Sequence, residues 1–387
     1  MIVGAGCAGL SLAVHLLDAG AKDLEIVLVD RRETHVRDRT WCYWSGPGHP
    51  FQAAVRQSWH RWRVVGASGE VERGSRSVAY RCIPADAFYD LALERIGRSP
   101  AVRILRGTSV EGFREAEGGV AVLTADGEIT ARRAFDGRPP APAPIPAGEI
   151  HWVQHFVGLE IETGAPAFDP SVATLMDFRV MRGPEIRFMY VLPLSETTAL
   201  VEDTFFGGDP LPEEAYLGSI RRYVREVLGV ETWSEGHRER GAIPMSTAPP
   251  PRPTSRRVEN IGVRAGLARA ATGYAFLAIQ REARRIATHV ARFGPDAPVP
   301  RVRAYPLATA FLDRVFLSYL ERDPEAAPGL FLRMFEGVEP ERMARFLHDG
   351  GTVADRIALM RSLPAVPLAR QALRELGPTL RAAARRA

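Results

Sequence analysis

The 387-residue sequence has almost no lysine: Lys22 is the only one among its 50 lysines and arginines. The skew reads first as the mark of a GC-rich genome, with function second. Arginine keeps its proton at any working pH, and it stacks and bridges better than lysine. Cysteine is scarce too. Cys7, Cys42 and Cys82 are too few and too scattered for a disulfide framework or a zinc site, so a reduced, cytoplasmic setting without a metal is expected. No run reaches the eighteen or so uncharged apolar residues of a membrane-spanning helix. A charged-then-apolar leader is also missing, because the chain enters a strand and a glycine loop at once. The expectation is a protein that is soluble or lies on a membrane surface. Its net charge of +4 is too small to suggest nucleic acid. With 46% hydrophobic and 25% charged residues, the composition excludes disorder and fibres, and the length suits two domains or one with insertions.

What is present begins at the first residues. Met1-Ile2-Val3 reads as a strand, short by several residues, as if the true start lay upstream. Gly4-Ala5-Gly6-Cys7-Ala8-Gly9 and an apolar helix from Leu10 to Leu17 follow, then a strand from Leu24 to Val29 that ends in Asp30. Each glycine of this G-x-G-x-x-G has a physical task. Gly4 permits the tight turn, Gly6 lets the backbone approach a pyrophosphate, and Gly9 lets the helix pack on the strand. Asp30, about 20 residues after the last glycine, is placed to hold a ribose diol. Strand, loop, helix, strand and acid in this order make a strong dinucleotide signal.

Further along, Thr40 to Ala79 is rich in tryptophan and arginine, and Pro84 to Ile96 has a helical period. Phe135-Asp136-Gly137 follows a short strand, and Arg138 to Ala147 is a proline-rich connection. His151 to Phe206 is strand-dominated, with a hairpin turning at Leu194-Ser195-Glu196. Pro212 to Leu228 is helical, Pro249 to Pro253 is a rigid loop, and Ile261 to Ala265 reads as a late strand. A small-residue loop from Gly266 to Gly273 leads into a long helix, and everything after Pro306 reads as helix. This interruption resembles the split nucleotide domain of glutathione-reductase-type flavoproteins, with FAD in preference to NAD. The fold class expected is α/β: a split FAD-binding domain (residues 1–50, 80–147 and 255–300), a strand-rich substrate domain (51–79 and 148–254) and a helical C-terminal region (301–387). In that group the late strand ends Gly-Asp; here Gly266-Leu267 stands in its place, with Gly273 still set to face the flavin.

Seven short runs resemble those of the bacterial and plant lycopene beta-cyclases. They are Arg39-Thr40-Trp41, Phe135-Asp136-Gly137-Arg138, Gln154-His155-Phe156-Val157-Gly158, Leu175-Met176-Asp177-Phe178-Arg179, Val201-Glu202-Asp203-Thr204, Thr272-Gly273-Tyr274 and Leu312-Asp313-Arg314-Val315-Phe316-Leu317. The resemblance implies an FAD-dependent enzyme that closes the linear ends of lycopene or a related carotene into β-ionone rings. Reduced flavin is needed without net redox change, with NAD(P)H as the electron source. It also implies that Arg39, Asp136, Gly137, Gly266 and Gly273 join Gly4, Gly6, Gly9 and Asp30 around the cofactor, and that Glu202 occupies the place of the family's essential glutamate.

The chemistry asks for such a residue. Protonating an alkene requires an acid that is neutral, desolvated and close to a charge that stabilises the cation, in a site that excludes water. On a strand Glu202 and Asp203 point to opposite faces, so one of them enters the cleft and the other supports it. Asp177 either shares the acid/base work or pairs with Arg179 or another arginine. His155 is expected to be hydrogen-bonded in the core. Trp41, Trp44, Trp59 and Trp62 either form plain core or line a carotenoid tunnel. The D-x-D-D acid of terpene and squalene cyclases is absent, which favours a flavin-assisted route. A flavin monooxygenase or prenyl-chain reductase, and a non-catalytic carotenoid-binding flavoprotein, remain the alternatives. From Arg361 onward six arginines face Glu375 alone, a local +5 that suggests docking on anionic lipid at the inner face of the cell membrane.

Overall fold

A computed structural model describes residues 1–20, 24–140 and 144–384. The chain opens with β1 (Ile2–Val3), α1 (Cys7–Asp18) and β2 (Ile26–Val29). Next come β3 (Thr40–Trp44), β4 (Gln57–Trp59), β5 (Arg61–Gly66), β6 (Gly69–Gly74) and β7 (Tyr80–Pro84), then α2 (Ala85–Gly97). β8 (Val102–Leu105), β9 (Val110–Ala116), β10 (Gly119–Thr124), β11 (Gly127–Ala131) and β12 (Ala134–Asp136) complete the first part.

The strand-rich middle holds β13 (His151–Thr163), β14 (Val172–Asp177), β15 (Ile186–Pro193), β16 (Thr198–Gly207), α3 (Glu213–Glu226) and β17 (Trp233–Ser246). β18 (Val258–Asn260) and α4 (Phe276–Phe293) return the chain to its first sheet. Helices α5 (Leu307–Arg322), α6 (Ala327–Gly337), α7 (Pro340–Asp349), α8 (Val353–Ser362) and α9 (Ala365–Ala384) close it.

The first sheet is parallel, in the order β18-β12-β1-β2-β8. Its core strands are short apolar runs buried on both sides, as parallel strands under helices must be. The order reverses between β1 and β12. That switch point leaves a crevice at the strands' carboxyl ends, where doubly wound sheets bind ligands. Helices α1, α2 and α4 bury their apolar faces against it, around Leu10, Leu12, Leu28, Phe88 and Ile286.

The seven-stranded sheet has the order β17-β13-β16-β15-β14-β5-β6, antiparallel except where β14 runs beside β5. Alternation divides its side chains. Val157, Val201, Met189 and Val191 meet α3 through Tyr216, Leu217 and Ile220. The opposite face, with Leu200, Phe206, Phe188 and Leu192, meets the small β3-β7-β4 sheet and the C-terminal helices. Trp44, Trp59 and Trp62 are fully buried in that second layer, with Trp44 edge-on to Trp62 at 4.6 Å. They are core. The hairpin read at Leu194 to Glu196 is formed by β15 and β16, and its turn closes by Leu194 N–H donating to Thr198 O at 2.7 Å.

The late strand departs from expectation. Ile261 to Ala265 alternates in polarity as a strand does, yet Gly262–Ala265 is a 3-10 turn. The strand is β18, three residues earlier, pairing Asn260 with Asp136. Edge position explains the polar sequence of β18: Glu259 is held by an ion pair with Arg133 at 3.3 Å.

The C-terminal helices are tied down by two buried arginines. Arg269 binds Asp313 with two nitrogens, at 3.0 and 2.8 Å, and stacks over Phe346 at 4.3 Å. Arg314 reaches Glu149 at 2.8 Å and Glu375 at 2.7 Å, joining α5 to α9 and to the strand-rich middle. Among the described residues no helix is long and apolar enough to cross a membrane. Lys22 and the terminal Arg385 and Arg386 of the basic end lie outside the described residues.

Candidate active site

The glycine loop has the shape a dinucleotide requires. Gly4 sits at φ +93°, a conformation that costs other residues strain. A Cβ on Gly9 would lie 1.9 Å from the Gly4 carbonyl oxygen, so α1 docks on β1 only with glycine there. Gly6 caps α1 without any side-chain acceptor, which leaves the first-turn amides available to an anion. Arg39 lies near the same helix end, where its charge acts on Cys7.

Asp30 stands at the end of β2, as anticipated, and accepts from Ala5 N–H at 2.6 Å. Sequence reasoning missed its partner. Arg32 binds Asp30 through its guanidinium and also donates to Ala5 O, so it covers the place of a ribose diol. Arg32 is about one-third exposed.

Asp136 closes the other side of the crevice. It is buried and held by Arg138 at 2.9 Å and Arg264 at 3.1 Å. Gly137 lets the chain pass β1, since a Cβ would lie 3.3 Å from Val3 O.

Gly266 lies in the turn that follows β18. At φ +79° it caps the 3-10 turn, and its Cβ position lies 3.2 Å from the Pro250 ring. The glycine beyond β18 that faces the loop helix is Gly262, at φ +65°, where a Cβ would come within 2.6 Å of Ala8 Cβ. Gly273, at φ +68°, lies against the seven-stranded sheet, its Cβ position 3.0 Å from Gln154 Oε1 and 3.1 Å from Ile243 Cγ2. Arg269 holds this segment: its carbonyl accepts from Gly273 N–H and its N–H donates to Tyr274 O.

The face of the seven-stranded sheet turned toward the β3-β7-β4 sheet carries a single row, Glu239–Gly158–Glu202–Tyr190, fixed by strand register. Glu202 is 7% exposed and accepts from the Thr204 hydroxyl at 2.7 Å. Burial first, then the nearby charge of Glu239, pushes its carboxyl up to about 8. Glu239 is buried too and accepts from the Thr40 hydroxyl at 2.7 Å; burial raises it to about 7. Beside the row, three tyrosine hydroxyls form a chain. Tyr190 donates to Tyr80 at 2.5 Å, and Tyr80 lies 3.2 Å from Tyr274, the aromatic residue of the Thr-Gly-Tyr loop.

Asp203 and Asp177 are not brought to Glu202. Asp203 points to the α3 face, as alternation requires, and is held by two Arg187 nitrogens at 2.9 and 2.6 Å. A bulge in β14 turns Asp177 to that same face, where Arg179 and the Tyr223 hydroxyl hold it. His155 is hydrogen-bonded in the core through Tyr216 at 2.7 Å, as expected. Glu239 is the residue that sequence reasoning missed.

Known proteins match this arrangement. The sequence profile of the family described as lycopene cyclase protein matches residues 1–373. A lycopene beta-cyclase of Paracoccus sp. (strain N81106 / MBIC 01143) is 28% identical over 403 residues, covering 95% of this chain and 94% of its own length. The lycopene beta-cyclase of Pantoea ananas is 25% identical, with 95% of each chain covered. Among solved structures, HpxO of Klebsiella pneumoniae complexed with FAD aligns with TM-score 0.60 at 15% identity, over 94% of this chain and 98% of its own. A geranylgeranyl bacteriochlorophyll reductase-like protein from Thermoplasma acidophilum aligns with TM-score 0.59 at 11% identity, over 98% of both chains. These two show the flavoprotein fold alone. From the profile match over nearly the whole sequence, the chain belongs to the lycopene cyclase family.

Proposed function

We propose that the protein is a reduced-FAD-dependent lycopene beta-cyclase in which Glu202 is the acid. One observation carries the assignment: Glu202 is buried with only a hydroxyl donor and a like-charged neighbour, which raise its carboxyl well above the usual range and favour the neutral acid. An acid so placed gives its proton to a terminal alkene of the carotene. The resulting cation closes on a second double bond to form the ring, and the carboxylate left on Glu202 takes up a ring proton, which leaves the β double bond and restores the acid. No electrons are exchanged. The buried aromatic layer and the tyrosine chain exclude water, which would trap the cation as an alcohol.

The crevice at the β1/β12 switch fits FAD, on the strength of its uncapped α1 N-terminus and the close approaches at Gly9 and Gly262. The residues that would hold it are Gly4, Gly6, Gly9, Asp30, Arg39, Asp136, Gly137, Gly262 and Gly273, with Gly266 supporting from the turn behind. Bound in reduced form, the flavin supplies negative charge beside the cation and is not consumed. NAD(P)H is the expected reductant. We assign the parallel sheet to the cofactor, the seven-stranded sheet to the carotene, and the C-terminal helices to a cap that meets the membrane where the substrate dissolves.

Expression in a lycopene-accumulating bacterium tests the reading. Wild type should convert linear pigment to a cyclic one and Glu202→Gln should not. Unchanged lycopene with the wild type overturns the function, and an active Glu202→Gln overturns the residue. A monooxygenase or reductase would instead consume NAD(P)H in proportion to product.

A further inference from the structure

Among the described residues nine acidic side chains are buried: Asp30, Asp136, Asp177, Glu202, Asp203, Glu239, Asp313, Asp355 and Glu375. Seven of them are ion-paired to an arginine. The two without an arginine partner are Glu202 and Glu239, and they are neighbours. Both are opposite Gly158, one on each side, on the same face of the sheet. The space between them exists because position 158 has no side chain. A Cβ there would stand 3.0 Å from Glu239 Cγ, 3.2 Å from Leu200 Cδ1 and 3.7 Å from Glu202 Cβ, so the Glu239 chain lies over the glycine.

Each carboxyl is served by one neutral hydroxyl, Thr204 for Glu202 and Thr40 for Glu239. The groups facing them are few. Cys42 of β3, Tyr190 of β15 and Tyr80 of β7 are neutral when buried. Arg37 and Arg39 act at a distance on Glu239, opposed by Asp38, and Asp203 acts on Glu202 through the sheet. Two carboxyls in a dry cleft without a paired cation cannot both ionise cheaply, and the second ionisation is opposed by the first.

We propose that Glu239 is the positioning partner of Glu202: lying over Gly158, it holds the acidic proton on Glu202. The proposal rests on the cyclase reading above and adds to it a residue that touches neither carotene nor flavin. It explains why the sheet places a glycine between two glutamates, where an apolar side chain would have filled the space and left Glu202 without a like-charged neighbour.

The test reads the proton directly. A protonated carboxyl has an infrared C=O band that a carboxylate lacks, and labelling glutamate with carbon-13 identifies it. The band is followed against pH in wild type, Glu202→Gln, Glu239→Gln and Glu239→Asp. Removing Glu239's charge should lower the pH at which Glu202 loses its band by about one unit or more, roughly a tenfold change. The alkaline limb of cyclisation should move to lower pH with it, chiefly in kcat and not in KM, and Glu239→Asp should restore both. Gly158→Ala, which wedges the pair apart, should act in the same direction and serves if Glu239→Gln does not fold. A Glu202 band that titrates at the wild-type pH in Glu239→Gln or Gly158→Ala overturns the proposal, whether or not carotene is cyclised. A wild type that leaves lycopene linear while the band still moves removes the cyclase reading and keeps the pair.

Discussion

Replacing Glu202 by Gln should make the protein more stable at alkaline pH, by an amount the site's geometry sets. Burial and Glu239 raise the carboxyl from 4.5 to about 8 in the folded state. Below pH 4.5 both folded and unfolded chains carry the proton, and Glu202 imposes no charge on the core. Between 4.5 and about 8 the unfolded chain releases it and the folded chain keeps it, so stability falls as pH rises. Above 8 the folded chain must bury the charge and the loss is complete. At about 1.4 kcal/mol per pH unit, the full loss is on the order of 4–5 kcal/mol. Glutamine has no proton to lose and still accepts from Thr204. Urea unfolding of the two proteins should therefore agree near pH 5 and diverge steadily, with Glu202→Gln more stable by several kcal/mol at pH 9. Parallel curves across that range would refute the neutral, desolvated acid, and with it the basis for protonating an alkene.

The other expectations concern neighbouring parts of the molecule. Gly262→Ala should lose flavin, because it strains a φ of +65° and presses on Ala8, whereas Gly266→Ala should leave the bound flavin content largely intact; absorbance of the purified proteins decides. Asp203→Asn should cost about 3–5 kcal/mol in urea unfolding by leaving Arg187 without its buried partner, while the folded fraction keeps its activity. Full activity loss in well-folded Asp203→Asn would refute that supporting role. Liposomes with anionic lipid should co-sediment the protein in a salt-sensitive way that deletion after Leu363 weakens, and binding indifferent to both argues against a docking end.

What was legible in the sequence was local. The Gly4 to Gly9 loop, Asp30 and Asp136-Gly137 each declare themselves within a few residues of their own strand, and the opposite facing of Glu202 and Asp203 follows from strand alternation. The hairpin around Leu194 was equally local. Glu239 was invisible for the opposite reason. It meets Glu202 only through the register of two pairings with β13, a long-range fact that no short motif records. Asp177 was ambiguous because a single bulge, and no change of residue type, decides which face it takes. The late strand was misplaced because Ile261 and Val263 alternate well, while the actual edge strand has a glutamate and an asparagine in it.

The Arg269 clamp bears on the order in which the chain matures. The segment carrying Gly273 and Tyr274 is anchored by an arginine whose own partners, Asp313 and Phe346, lie 44 and 77 residues further on. β18, at the edge of the parallel sheet, is likewise made of residues that follow the whole strand-rich middle. During synthesis the early glycine loop therefore leaves the ribosome long before either its sheet or its facing loop can be locked. On the proposed reading, cofactor loading would be a late event, completed only once Asp313 and Phe346 have emerged, and a ribosome-stalled chain ending before Asp313 should hold flavin weakly or not at all.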